Sequence, residues 1–132
     1  MAGSQIREIA CEQKLTHELD APEESRNPLG DVFGGWLLSH MDIAGGARAA
    51  EAAQGRVVTV AVDRMVFEKP VFVNDRVRLY TEVERIGTTS ISILVTVKVI
   101  RAETGEVEQN AAHGTFTFVA IDERKQPRPV RA

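Results

Sequence analysis

The sequence predicts an α+β protein in which one curved antiparallel sheet wraps a single long helix. Three observations carry that expectation. Residues 30–46, GDVFGGWLLSHMDIAGG, read as a glycine-rich turn feeding a helix that is apolar over most of its surface. Several β-rich stretches follow in succession, joined by short turn sequences. No second helical pattern separates those strands, so no βαβ crossover arises and the sheet is expected to be antiparallel.

The elements follow in chain order. Residues 5–13, QIREIACEQ, have a weak pattern that fits a short helix or an edge strand. Residues 14–19, KLTHEL, alternate and read as a first strand. DAPEESRNPLGD gathers the residues of a loop. The helix is expected to begin near Gly34 or Gly35. Trp36, Leu37, Leu38, Met41, Ile43, Ala44 and Ala47 then surround its axis, as in a buried helix. Arg48 and Glu51 mark a more exposed last turn, and Gly55 stops it. Val57 to Phe67 reads as a strand with Val58, Val60 and Val62 on one face, broken by Lys69-Pro70. After a turn at Asn74-Asp75, Val77, Leu79, Thr81 and Val83 oppose Arg76, Arg78, Glu82 and Glu84. Ile86-Gly87-Thr88 is a tight connection. Thr89 to Arg101 alternates most cleanly, with Ile91, Ile93, Val95, Val97 and Val99 on one side. Glu103-Thr104-Gly105 is a hairpin turn, and the last strand runs from about Val107 to Ile121. The whole reads as one domain, 1–132, with 1–13 and the basic stretch 123–132 peripheral. A sheet with strands this long leaves unpaired edges, which favours dimerisation.

Composition narrows the function. Nineteen acidic against sixteen basic residues give a net charge of -3, with no basic field for nucleic acid or an anionic membrane. No apolar run is long enough to span a bilayer. A single cysteine, Cys11, excludes an internal disulfide, and the first residues lack a signal-peptide core, so a cytoplasmic protein is expected. His17, His40 and His113 form no ligand pattern, and no metal site is expected. There is no nucleophile elbow around Ser39, no P-loop and no dinucleotide fingerprint.

Within the organising stretch, Asp42 is the anomaly. A carboxylate two turns into an apolar helix suffers desolvation unless something satisfies it. It is either a general base or nucleophile, or a buried structural carboxylate. Leu38, Asp42, Gly45 and Ala49 share a face. Gly45 and Gly46 each weaken a helix by up to about 1 kcal/mol relative to alanine, so their presence suggests close approach of backbone, ligand or partner. Free N–H groups of Gly34 and Gly35 at the helix start suit a developing oxyanion, or the glycines only permit a tight turn. Asp31 is expected to cap the helix. Asn27 is a turn asparagine or a site residue. Gly87, Thr88, Thr89 and Ser90 form a small polar turn.

GDVFGGWLLSHMDIAGG, GRVVTVAVDRMVFEKPV, IGTTSISI and FTFVAIDERKQPRP together resemble the YciA-type acyl-CoA thioesterases of the hotdog fold, over roughly Asn27 to Pro129. The resemblance implies hydrolysis of acyl-CoA to the free acid and CoA without a cofactor. It makes Asp42 the catalytic carboxylate and the Gly35 amide the donor to the thioester oxygen. It places Asn27 near the scissile bond, with the carboxylate supplied by a facing subunit. The turn 87–90 would lie along the CoA groove, with Lys69, Arg124, Lys125, Arg128 and Arg131 as candidate phosphate contacts. It also implies a homo-oligomer, a dimer at minimum and a trimer of dimers. The family often has an arginine where this chain has Thr88. A non-catalytic acyl-CoA sensor and a hotdog hydratase are the alternatives; the chain lacks the histidine-bearing motif expected of the latter.

Overall fold

The computed structural model describes residues 12–105 and 108–130. Most of 5–13, and the expected start of the last strand near Val107, lie outside them. The order is β1 (Lys14–Asp20), a 3-10 turn (Glu23–Ser25), helix α1 (Gly34–Ala53), β2 (Val57–Phe67), β3 (Arg76–Ile86), β4 (Ser90–Ile100) and β5 (Gln109–Ala120). The strands form one antiparallel sheet in the order β1-β3-β4-β5-β2. This is the hotdog arrangement, with α1 lying on one face of the sheet, chiefly over β3 and β4.

Strict alternation makes the sheet's inner face. Val77, Leu79 and Val83, then Ile91 to Val99 at every second residue, then Phe116 and Phe118, are all essentially inaccessible. Burying each such side chain contributes roughly 1.5–3 kcal/mol. The connections are as tight as the turn residues demand. The Gly87 amide donates to the Ser90 carbonyl at 2.8 Å, and Gly105, at φ +63°, donates to the Arg101 carbonyl at 2.8 Å.

α1 buries Leu37, Met41, Ala44, Gly45, Arg48, Ala49 and Ala53, one helical stripe. Gly45 explains itself here: a Cβ at that position would stand 3.1 Å from the Phe118 ring and 3.2 Å from Val95. The helix ends on Gln54, which adopts the left-handed conformation at φ 52°. The chain beyond β5 folds back onto this end. Arg128 Nη2 donates to the Ala53 carbonyl at 2.9 Å, and the amide of buried Val130 donates to the Thr88 carbonyl at 2.8 Å.

Three expectations need correction. Arg48 is buried rather than exposed, because it shares the stripe of Leu37, Met41 and Ala44. Its guanidinium donates to the Thr81 carbonyl at 3.0 Å and hydroxyl at 3.2 Å, and to the Glu12 carbonyl at 2.6 Å. The helix is not covered all round by its own chain: Ile43 is 57% exposed on the far side. Val58, Val60 and Val62 do not share a face. The β2–β5 register shifts between Thr59 and Ala61, so Val58 lies opposite Val119 while Val62 lies opposite the inward Phe116. A second shift follows between Asp63 and Val66, where Arg64 takes φ 54°. The result is an edge strand with apolar residues on both sides, Val58, Val60, Val62, Val66 and Phe67 being 42–56% exposed.

Candidate active site

The loop before α1 is built around Asn27. Its Oδ1 accepts from the amides of Leu29 at 2.9 Å and Asp31 at 3.0 Å, while its own amide donates to the Asp31 carbonyl at 2.6 Å. The turn asparagine expected from sequence is therefore present. Its Nδ2 has no partner among the described residues and is the group left to meet a ligand. The same loop is laced to the segment after β2: Asp31 bridges Phe72, and the Val32 amide donates to the Val71 carbonyl at 2.8 Å.

Asp31 does not cap α1. That loop pairing holds it away, and the capping position is taken by Phe33, with no side-chain cap bond and no acidic residue in the first turn. The first helical bond runs from the Leu37 amide to the Phe33 carbonyl at 3.2 Å. The amides of Gly34, Gly35 and Trp36 thus have no partner within the helix, and its positive end carries no side-chain cap. Around Gly35 the space is open, with nothing within 4 Å of where a Cβ would be, whereas a Cβ at Gly34 would stand 3.4 Å from the Phe67 ring. A cleft of about 260 Å³ opens at this helix start, lined by Asn27, Gly34, Leu37, Phe67, Lys69 and Val71. Amides, an asparagine, apolar side chains and the charged Asp31, Glu68 and Lys69 converge there, apolar contact for a chain beside donors for a polarised carbonyl.

Asp42 lies elsewhere on the helix, half-buried, with Oδ1 accepting a 2.6 Å hydrogen bond from the Thr59 hydroxyl. Thr59 faces the helix because it pairs with the inward Phe118, just ahead of the first register shift. Sequence reading missed Thr59; the signal was a lone hydroxyl among the valines of VVTVAV. Seven residues separate Gly35 from Asp42, about 10 Å along the axis. A reacting atom must sit about 3 Å from both its oxyanion donors and its base. One chain therefore does not bring Asp42 to Gly35 and Asn27.

The turn of Gly87, Thr88, Thr89 and Ser90 sits at the opposite end of α1. The carbonyls of Thr88 and Thr89 accept from the amides of Val130 and Ala120, beside the segment whose Arg128 grips Ala53. Gly35 and Ala53 are about 27 Å apart along the helix. Of the candidate phosphate contacts, Lys69 borders the first cleft and donates to Gln109 Oε1 at 3.0 Å. Arg124 and Arg128 line a second cleft, of about 610 Å³, with Gly55 and Arg56. Lys125 is exposed on the tail turn, and Arg131 lies outside the described residues.

The histidines have structural partners. His17 Nε2 and His40 Nδ1 are 3.2 Å apart, joining β1 to α1, and the His40 ring packs on Trp36 at 4.3 Å. Burial, and then the neighbouring His17, push the His40 pKa below its usual 6.5. His113 meets Glu68 at 3.1 Å. Among the described residues no three His, Cys, Asp or Glu side chains are grouped to hold a metal, and no helix is long and apolar enough to cross a membrane.

A helix laid on a curved antiparallel sheet, with an uncapped glycine start over a cleft, defines a hotdog protein of the thioesterase class. Residues 29–107 match the family model of the thioesterase superfamily. The acyl-CoA thioester hydrolase YciA of Salmonella typhimurium is 46% identical over 106 residues, 79% of this chain and 80% of that protein. The hexameric thioesterase y2039 of Yersinia pestis superposes with a TM-score of 0.84 at 43% identity, over 88% of this chain and 93% of that one. HI0827, a hexameric broad specificity acyl-coenzyme A thioesterase solved as an aspartate-to-alanine variant, gives 0.87 at 38% identity, over 90% and 87%. The chain belongs to the thioesterase superfamily and, within it, to the family of the YciA acyl-CoA thioester hydrolases.

Proposed function

We infer that this protein hydrolyses acyl-CoA thioesters to the free carboxylic acid and CoA. The uncapped start of α1, open around Gly35 and facing the cleft beside Asn27, carries this reading. The thioester oxygen sits on the Gly35 amide, with Gly34 beside it, where the helix dipole and N–H groups favour the charge that develops during attack. Asn27 Nδ2 orients the carbonyl or the incoming water. As a base, Asp42 takes a proton from water as its oxygen bonds to the carbonyl carbon; the tetrahedral intermediate then expels the CoA thiolate, which is protonated. As a nucleophile, Asp42 adds to the carbonyl carbon and displaces the CoA thiolate, leaving a mixed anhydride; water then opens the anhydride to the free acid, restores the carboxylate and supplies the proton that the thiolate takes up. Thr59 holds the carboxylate in either case. The chemistry requires only water, and no cofactor or metal takes part.

The site closes between two copies. Because one chain holds Asp42 about 10 Å along the helix from Gly35, the carboxylate serving each cleft comes from a facing subunit. The exposed apolar edge of β2 and the outer side of α1 at Ile43 supply the contact. The hexameric relatives support a trimer of such dimers. Gly87 to Ser90, beyond Asp42 on its own chain, then flank the CoA portion. Residues 1–132 act as one catalytic domain in the cytoplasm, without nucleic acid or membrane partners. A thiol-release assay over a panel of acyl-CoAs tests the assignment. Asp42→Asn is expected to lower kcat about 100-fold or more with the circular dichroism spectrum unchanged. Near-normal turnover by folded Asp42→Ala would reject the mechanism, and binding without turnover by the unaltered protein would make it a sensor.

A further inference from the structure

Asp75 and Arg101 stand outside the cleft, yet together they hold its outer wall. Asp75 is 3% exposed; its Oδ2 accepts from Arg101 Nη1 at 2.5 Å and from the Phe72 amide at 2.9 Å, and Oδ1 accepts from the Ala102 amide at 3.2 Å. Arg101 Nη2 donates to the Pro70 carbonyl at 2.9 Å, and its guanidinium lies 4.6 Å from the Phe72 ring centre. One ion pair, its carboxylate buried and its guanidinium partly so, thereby fixes Pro70 and Phe72, the residues on either side of Val71. From those residues a continuous hydrogen-bonded path leads into the site. The Val71 carbonyl holds the Val32 amide, Phe72 bridges Asp31, and Asp31 exchanges two bonds with Asn27. The helix start at Gly34 follows two residues after Val32.

We propose that Asp75 and Arg101 are positioning residues for hydrolysis: the pair clamps residues 70–72, and through that segment sets Asn27 and the amides at the start of α1. The proposal rests on the thioesterase reading of the cleft. It gives a role to a charged pair at a place where apolar residues of similar size would often serve stability as well. Neither side chain reaches the cleft, so what it controls is where the catalytic donors stand. A displacement of about 1 Å there can cost about 100-fold in rate.

The test separates placement from stability. Asp75→Asn is expected to lower kcat about 10- to 100-fold while KM for acyl-CoA moves less than about threefold. Arg101→Lys, which keeps the charge but not the two-pronged grip on Asp75 and Pro70, is expected to fall between this variant and the unaltered protein. The double variant Asp75→Asn/Arg101→Met removes the stranded buried charge, so its Tm should recover while kcat stays low. Recovery of kcat together with Tm would overturn the proposal. Amide hydrogen exchange gives an answer that does not need turnover: residues 26–37 should exchange faster in Asp75→Asn while β3 and β4 stay protected. Unchanged exchange in 26–37 would overturn the proposal. Absence of turnover in the unaltered protein would instead reject the proposed function, and exchange would still decide the clamp.

Discussion

Asp42 and Thr59 show what a single residue discloses and what it conceals. The aspartate stands out because a carboxylate in an apolar helix needs a reason. The threonine does not, because one threonine in a strand is ordinary; its role depends on which face of β2 it takes, and a bulge decides that. Thr59→Val keeps the shape and removes the bond to Asp42. The bond fixes where the carboxylate stands, so kcat is expected to drop about tenfold in steady-state assays, while Tm changes little because the pair is exposed in the single chain. The adjacent glycines give a sharper pair. In Gly45→Ala the new Cβ meets Phe118 and Val95 at 3.1–3.2 Å, an overpacking that should cost about 1–3 kcal/mol and outweigh the helix propensity gained. In Gly46→Ala the nearest atom is at an ordinary 3.5 Å, so the propensity gain of up to about 1 kcal/mol should prevail. Denaturant midpoints of the two variants should therefore move in opposite directions. The sequence marked both glycines as points of close approach; only the geometry distinguishes them.

Helices and strands were legible to the extent that their periodicity was undisturbed. β3 alternates from Arg76 to Val83, where a register shift ends the pattern, and β4 alternates along its whole length; over those residues the faces assigned from sequence are the ones observed. β2 defeats the same reasoning because two register shifts reverse the alternation, and no residue in VVTVAVDRMVF announces a bulge by its type. The helix was found, but its exposed arc was not, since apolarity alone cannot say whether sheet or another molecule covers it. The contact of α1 with β1 has a pH dependence that follows from His40. Its folded pKa lies below 6.5, so on acidification the unfolded chain takes up the proton first. Stability is then full above about pH 6.5 and declines as the pH falls from there toward the folded pKa. Urea titrations at roughly pH 7.5 and 5.5 should show a lower midpoint in acid, and His40→Gln should flatten that difference.

At the scale of the molecule, the site residues named from sequence are present but divided along one helix. Seven positions at the helical rise already put Gly35 and Asp42 about 10 Å apart, and the proposed function has them serve different clefts. This gives the whole-molecule prediction. Asp42→Asn and Asn27→Ala chains should each be nearly inactive alone. Mixed after dissociation and reassembly, half of the dimers are hybrids, and each hybrid has one intact cleft, so about a quarter of normal activity should return. A site completed within one chain would give no recovery.

The pairing of the sheet also sets an order in time. β3, β4 and β5 are consecutive and pair with their neighbours in chain order, so they can form a meander by themselves. β1 and β2 both come earlier in the chain, yet Lys14 waits for Thr81 and Val57 for Ala120. The segments synthesised first are therefore expected to dock last, because their long loops gain contacts only once the surface that receives them exists. During that interval the apolar helix and the valine-rich second strand are exposed together, the part of a nascent chain most open to self-association. Refolding yield should accordingly fall as chain concentration rises, and a chaperone that shelters the first half of the chain should restore it.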